Sequence, residues 1–286
     1  MINIIPKERV WEMVFPFRKT PQGSELMNIR DVLEQFRSGE IDEDRAERLL
    51  RLDFIERIGD HAVFDHSREA RKGIPEIIFG ESKTPEQVAE IVAKVLEDRE
   101  AVLVSRASVS HYQAVVTAVG KKGVVYDECS RVIAVDKGNS RRKKGKIGIL
   151  AAGTSDMAVA SEAKVVAELM GCEVFLACDV GVAAFHRFLD PLKEMIEQDV
   201  DALVVVAGME GALPTVVSSF AHIPVIGVPT SVGYGFGGKG EAALLGMLQT
   251  CSPGLVVVNI DNGIGAGAAA ALISRRCRRS SVPEQG

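Results

Sequence analysis

The sequence predicts a two-domain α/β protein, with a parallel sheet flanked by helices in its second half and a smaller α+β domain before it. Two observations carry this. Short, wholly apolar runs (IGILA, EVFLA, ALVVVA, PVIGV and LVVVN) recur after residue 146 with helical patterns between them. Runs that are apolar throughout belong to strands buried on both faces, and strands alternating with helices build a parallel sheet. The segment DKGNSRRKKGK, residues 136–146, is charged, lacks apolar periodicity and separates this alternation from a less regular first half.

In chain order, residues 1–27 read as an irregular extension. Ile29, Val32, Leu33 and Phe36 recur at helical spacing, and residues 42–50 resume the pattern with Ala46, Leu49 and Leu50 on one face. Residues 65–80 are punctuated by Gly73 and Pro75. Thr84 caps a helix that starts at Pro85 and runs to about residue 97. AVLVSR reads as a strand, residues 109–119 as a helix, and residues 121–135 as two short strands. Beyond the linker, helices are expected over residues 157–170 and 242–248. The resulting domains are 28–140 and 146–275, with a tail at 276–286.

Composition narrows the function classes. The chain has 286 residues, a net charge of −5 and 26% charged residues, so no global basic field favours nucleic acid. Its basic clusters, RRKKGK at 141–146 and RRCRR at 275–279, read as a solvated linker and a solvated tail. No apolar run is long enough to cross a bilayer, and the first residues lack the apolar core of a secretory signal. Five cysteines without a CxxC pattern fit a reducing cytoplasm rather than a disulfide framework or zinc site.

The candidate chemistry lies where strands end. AAGTSDM, residues 151–157, and AGMEGALP, residues 207–214, each follow an apolar run and precede a helical pattern. Ligands of α/β sheets bind at such junctions. Gly153 permits a tight turn, Thr154 and Ser155 offer hydroxyls, Asp156 offers a carboxylate, and the free amides of a helix start suit a phosphate. The plain alternative is a turn that only caps its helix. Glu210, between Gly208 and Gly211, is either a surface carboxylate or a partly desolvated group able to move a proton, the glycines admitting a substrate closely. The glycine-rich PTSVGYGFGGKG fits a loop that approaches a ligand, or a plain surface loop. Asp65 lies among Arg68, Arg71 and Lys72, where salt bridging is the simple reading and the alternative is that Arg68 and Arg71 hold bicarbonate or a substrate phosphate by paired donors. His186 and Arg187 suit an anionic substrate, an interface or the core. Cys251 is read as a small buried hydrophobe or a thiolate nucleophile. Asp261 and Asn262, in a further polar glycine turn, suit substrate orientation or Mg²⁺ held through water.

The later segments resemble the PurE family of aminoimidazole ribonucleotide carboxylases and mutases. GTSD is similar to their phosphate-binding GSxSD turn, VGVAAFHR to their SAHR segment, and PVIGVP matches almost literally. That family's GxAHLP loop carries a histidine where this chain has Ala212, in GMEGALP. A fuller resemblance, over roughly residues 29–273, is to the LarB family. It rests on DHSREARKGIPEIIFGESKTPEQ, AAGTSDM, CDVGVAAFHR, VVVAGMEGALPTVV, GVPTSVGYG and CSPGLVVVNIDNGIGAG, with Ser105 where a TRAS-like motif has threonine.

The LarB resemblance implies a PurE-like fold for the second domain and a step in nickel-pincer nucleotide biosynthesis. In that step CO₂ or bicarbonate carboxylates the pyridinium ring of nicotinic acid adenine dinucleotide. Hydrolysis of the phosphoanhydride then gives pyridinium-3,5-biscarboxylic acid mononucleotide and AMP. The resemblance makes Cys251 the nucleophile and Glu210 and Asp65 the matching carboxylates, and it implies Mg²⁺ and a homo-oligomer, with an octamer as the candidate size. The competing readings are a PurE-like carboxylase or mutase and a non-catalytic nucleotide-binding regulator.

Overall fold

The computed structural model describes residues 29–43, 45–46, 55–58, 62–65, 73–137 and 145–279, in two compact units, Met1–Ile55 and Glu56–Gly286. In the first unit α1 (Ile29–Ser38) buries Val32, while Leu33 and Phe36 stay about half exposed. Gly39, at φ +78°, ends it and donates its N–H to Phe36 O at 3.1 Å. Asp42 opens the next pattern by accepting the Arg45 N–H at 2.7 Å. Most of that pattern and the extension before α1 lie outside the described residues.

A two-stranded sheet pairs β1 (Ile55–Ile58) with β2 (Ala62–Asp65). A mixed four-stranded sheet follows, built from β3 (Glu76–Phe79), β4 (Ala101–Ser105), β5 (Val124–Asp127) and β6 (Val132–Asp136), in the order β3-β4-β6-β5. Helices α2 (Pro85–Asp98) and α3 (Val109–Val119) link its strands. Thr84 and Gln87 form a capping box with Pro85 at the first turn, as the sequence predicts. Ser108 and His111 form another, which the sequence reading missed because histidine is not the usual third residue. The His111 ring accepts the Ser108 N–H at Nδ1 (3.0 Å), so its Nε2–H donates to Lys83 O at 3.0 Å.

The period-2 alternation of a strand gives this sheet two apolar faces. Val102, Val104, Ile133 and Val135 pack under α2 and α3 with Val88, Val92 and Val95. Leu103 and Val132 point the other way, into the core of the following domain. The buried Ser105 hydroxyl donates to Ile78 O at 3.3 Å, a bond a threonine hydroxyl could equally make.

The second domain is a five-stranded parallel sheet of β7 (Gly145–Ala151), β8 (Cys172–Cys178), β9 (Ala202–Ala207), β10 (Val225–Pro229) and β11 (Leu255–Val257), in the order β11-β10-β9-β7-β8. Helices α4 (Met157–Leu169) and α8 (Gly263–Arg279) cover one face through Ala160, Ala163, Ala266 and Ala270 against Ile147, Ile149, Val204 and Val206. Helices α5 (Leu189–Glu197), α6 (Ala212–Phe220) and α7 (Glu241–Leu248) cover the other through Leu192, Leu213 and Met247 against Leu203 and Val205. This is the predicted α/β architecture.

Two expectations are corrected. The glycines after Asn262 are not turn glycines but the first two turns of α8. A Cβ at Gly263 would lie 2.2 Å from Val159 O, and one at Gly267 would lie 2.3 Å from Ala163 O, so small residues let α8 touch the α4 backbone. The segment 275–279 is not a solvated tail throughout, because it ends that helix and its Arg275 and Arg278 bind carbonyls and carboxylates. Arg275 donates to Gly73 O at 3.0 Å, and Arg278 reaches Asp199 (3.3 Å) and Asp201 (3.1 Å). The close helix contact yields a prediction. Gly267→Val should cost about 1–3 kcal/mol in chemical denaturation, through forced separation of α4 and α8. Wild-type stability would contradict the packing account.

Candidate active site at the carboxyl ends of the parallel strands

The strand order fixes where a ligand can enter. From β7 the chain steps outward to β8, then crosses back to β9 on the far side of β7. The connections leaving β7 and β9 pass to opposite faces of the sheet at this switch point, where ligands of open α/β sheets bind. They are the two segments singled out in the sequence.

After β7 comes the single 3-10 turn Thr154–Asp156, which leads directly into α4. Thr154 and Ser155 are exposed at its crest, and Asp156 is only 3% exposed beneath it. One Asp156 oxygen accepts the Gly153 N–H at 2.8 Å, and the other accepts the hydroxyl of fully buried Thr230 at 2.7 Å. Asp156 thus ties the end of β7 to the end of β10. Burial pushes its pKa up, and the bonds from Thr230 and Gly153, with the nearby Gly208 amide, partly offset that. Sequence reading placed Asp156 in the turn but missed Thr230, whose partner lies 74 residues away.

The β9 turn is equally committed to its own chain. A Cβ on Gly208 would meet Val232 O at 2.2 Å, and one on Gly211 would meet Ala243 O at 2.6 Å. Gly211 also adopts φ +66° at the start of α6. Both positions are glycine because neighbouring segments pack there. Met209 donates its N–H to Val232 O at 2.9 Å, and Glu210 stands exposed beyond it. The desolvation expected for Glu210 is not supplied by its own chain.

The remaining loops complete the rim. His186 and Arg187, in the 3-10 segment Val182–Arg187, are exposed, so neither is a core residue. Arg187 pairs with Asp179 at 2.8 Å. Asp261 accepts the Ser231 N–H at 2.8 Å, tying the β11 loop to the β10 loop, and Asn262 accepts the Gly265 N–H at 2.8 Å inside the first turn of α8. Among the described residues no three His, Cys, Asp or Glu side chains converge to hold a metal ion.

Sequence reasoning also missed Glu162, which is buried on α4. It lies three residues after Val159 and four before Val166, so a polar residue on an apolar helical stripe was the available signal. The Arg106 guanidinium and the Ile264 and Gly263 amides at the start of α8 favour its charged form, and Asp261 opposes it. Burial pushes its pKa up to about 7, against the opposing pull of Arg106.

Of the remaining predicted residues, Cys251 alone has a described side chain, and it is not brought to this rim. The side chain of Asp65, at the end of β2, and all of Arg68 and Arg71 lie outside the described residues. Cys251 is exposed, not buried, and sits at the opposite end of the sheet. Leu203 and Leu255 both pair with Val225, so Cys251 lies before that level. Glu210 lies beyond Ala207, which is about 13 Å farther along the strands. The neighbouring Ser252 confirms the placement by accepting from Ser218 Oγ at 2.7 Å, near the far end of α6.

Comparison with known proteins gives a consistent picture. Residues 55–137 match the LarB/PurE-like N-terminal domain, and residues 146–281 match AIR carboxylase. An uncharacterized protein of Methanocaldococcus jannaschii is 42% identical over 254 residues, covering 87% of this chain and 97% of that protein. A probable N5-carboxyaminoimidazole ribonucleotide mutase of Methanothermobacter thermautotrophicus is 33% identical, over 46% of this chain and 38% of its own. The N5-carboxyaminoimidazole ribonucleotide mutase of Thermotoga maritima is 29% identical, over 45% of this chain and 74% of its own.

The buried carboxylates generate two predictions. Thr230→Val leaves one Asp156 oxygen without its partner and should cost about 1–3 kcal/mol in urea denaturation, while Thr230→Ser keeps most of the stability. Equal stability of the two variants would contradict the clamp. Glu162 holds its proton more tightly folded than unfolded. Its contribution is therefore complete below pH 4.5 and is lost as pH rises through about 7. That loss is on the order of 3 kcal/mol, and Glu162→Gln should remove it from the stability–pH profile. An unchanged profile would rule Glu162 out as its source.

Proposed function

Because the chain belongs to the LarB/PurE-like family, we propose that it carboxylates the pyridinium ring of nicotinic acid adenine dinucleotide and hydrolyses its phosphoanhydride. The products are pyridinium-3,5-biscarboxylic acid mononucleotide and AMP, a step toward the nickel-pincer nucleotide. The observation that carries this reading is the joining of a LarB/PurE-like N-terminal domain to an AIR carboxylase domain in one chain. Ala212 at the position of the PurE histidine favours it further.

The reaction assigns work to residues on both sides of the sheet. The exposed Thr154 and Ser155, with the amides opening α4, receive a phosphate of the substrate. Asp156 is already engaged by the Gly153 amide and the Thr230 hydroxyl, so its role is to hold this turn in place. An electron-poor pyridinium does not attack CO₂. Addition of the Cys251 thiolate to the ring makes an enamine, and ring carbon five then forms a bond to CO₂. A base removes the proton from that carbon, and loss of the thiolate restores the aromatic ring. Glu210 is the group assigned to the proton or to orienting CO₂. Attack of water on the phosphoanhydride releases AMP. Mg²⁺ would enter with the substrate phosphates.

Cys251 and Glu210 occupy opposite ends of one sheet, so a single chain does not bring them together. The proposal therefore includes a homo-oligomer in which a second copy presents Cys251 to the rim and removes Glu210 from solvent. Exposed Leu245, Leu248 and Val256 beside Cys251 give that contact an apolar surface. The similarity to the two mutases favours one other reading, a PurE-like reaction on an aminoimidazole ribonucleotide.

Mass spectrometry after incubation with nicotinic acid adenine dinucleotide, labelled bicarbonate and Mg²⁺ separates these readings. The proposed reaction gives labelled ring carboxylate and AMP, with Cys251→Ser reducing turnover by about 10³-fold or more. Turnover of an aminoimidazole ribonucleotide alone would replace this proposal with the PurE-like one. Full activity in Cys251→Ser would remove the covalent step.

A further inference from the structure

The rim of the second domain is rich in carboxylates. Asp156, Glu162, Glu210 and Asp261 all lie on or beside it. A substrate bearing phosphates and a carboxylate meets like charge there unless cations are supplied. Among the described residues, the segments that follow β7–β11 at this end offer Arg187, already paired with Asp179, and Lys239 on the glycine-rich loop. From the first domain, Arg106 acts on Glu162.

Arg106 follows β4 in the left-handed conformation, at φ +51°. Such a conformation is costly for a residue with a side chain and persists only where its surroundings enforce it. Here Arg131 enforces it. Its Nε donates to Ala107 O at 3.2 Å, its outer guanidinium nitrogen approaches Arg106 O at 3.4 Å, and its own carbonyl accepts the Ala107 N–H at 2.7 Å. The sheet that carries Arg106 packs on α4, with Leu103 and Val132 in one core with Ala160 and Ala163. The guanidinium stays 42% exposed, 3.9 Å from Glu81, and attracts Glu162. Glu162 in turn abuts Gly263, two residues past Asp261, with Oε2 3.0 Å from where a Cβ on Gly263 would lie.

We propose that Arg106 binds an anionic group of the substrate, a phosphate or the ring carboxylate, with Arg131 fixing its backbone and Glu81 and Glu162 positioning its guanidinium. This deepens the function proposed above and rests on it for the identity of the substrate. The planar guanidinium suits paired bonds to either oxyanion.

Calorimetric titration of the full chain with nicotinic acid adenine dinucleotide, at low and high salt, tests the assignment. Arg106→Gln should weaken binding by about 10-fold or more and flatten its salt dependence. Arg106→Lys should fall between, because it keeps the charge and loses the fork. Wild-type affinity and salt dependence in Arg106→Gln would overturn the proposal. Should that variant fail to fold, wild-type affinity in folded Arg106→Lys would overturn it instead. A parallel titration with aminoimidazole ribonucleotide keeps the two ideas apart. Binding of that nucleotide only, weakened in Arg106→Gln, would overturn the substrate and leave Arg106 in its role. Wild-type protein that binds neither anion would overturn both.

Discussion

One buried carboxylate holds the candidate site in shape. Asp156 receives a backbone amide from its own turn and a hydroxyl from the end of β10, and the nearby Gly208 amide of the β9 turn favours its charged form. Segments far apart in sequence are thereby fixed at the point where the strand order reverses. A buried charge is tolerated only when such partners surround it. Its raised pKa shows that burial outweighs them, so the clamp stores a cost as well as a geometry. The exposed Thr154 and Ser155 owe their presentation to it, because the crest of a short turn has little stiffness of its own.

The same constraint separates two kinds of chemistry. Polar groups gather at the carboxyl ends of the strands, while Cys251 stands exposed beyond the amino ends. A reaction that uses both requires a second chain. On this account the exposed position of Glu210 describes a single copy, and assembly supplies the desolvation that proton transfer favours. The first domain has a matching role. It buries one face of its sheet on α4 and offers Arg106 beside a rim otherwise dominated by carboxylates.

The fold was largely legible in the sequence because its signals are local. Unbroken apolar runs marked β7 to β10, and Thr84 with Pro85 marked the start of α2. The glycines of α8 misled because a glycine signals a turn unless the helix packed against it is known. The arginines after Ser274 misled for a similar reason, since their acceptors come from Gly73, Asp199 and Asp201. At the site, residues 151–156 and 207–211 were found because strand ends are predictable. Thr230, Glu162 and Arg106 were not, because each gains its meaning from a partner distant in the chain. The separation of Cys251 from Glu210 was invisible to motif reading, which orders residues along the sequence and not along the sheet.

The central claim is that one site draws Cys251 and Glu210 from different copies of the chain. Mixed oligomers of Cys251→Ser and Glu210→Gln test it most directly, with subunit exchange verified by native mass spectrometry. Each variant alone should be inactive. Equal mixing should restore about a quarter of the wild-type carboxylation, because about that share of sites would combine an intact cysteine with an intact glutamate. Mixed oligomers as inactive as either parent would contradict the shared site.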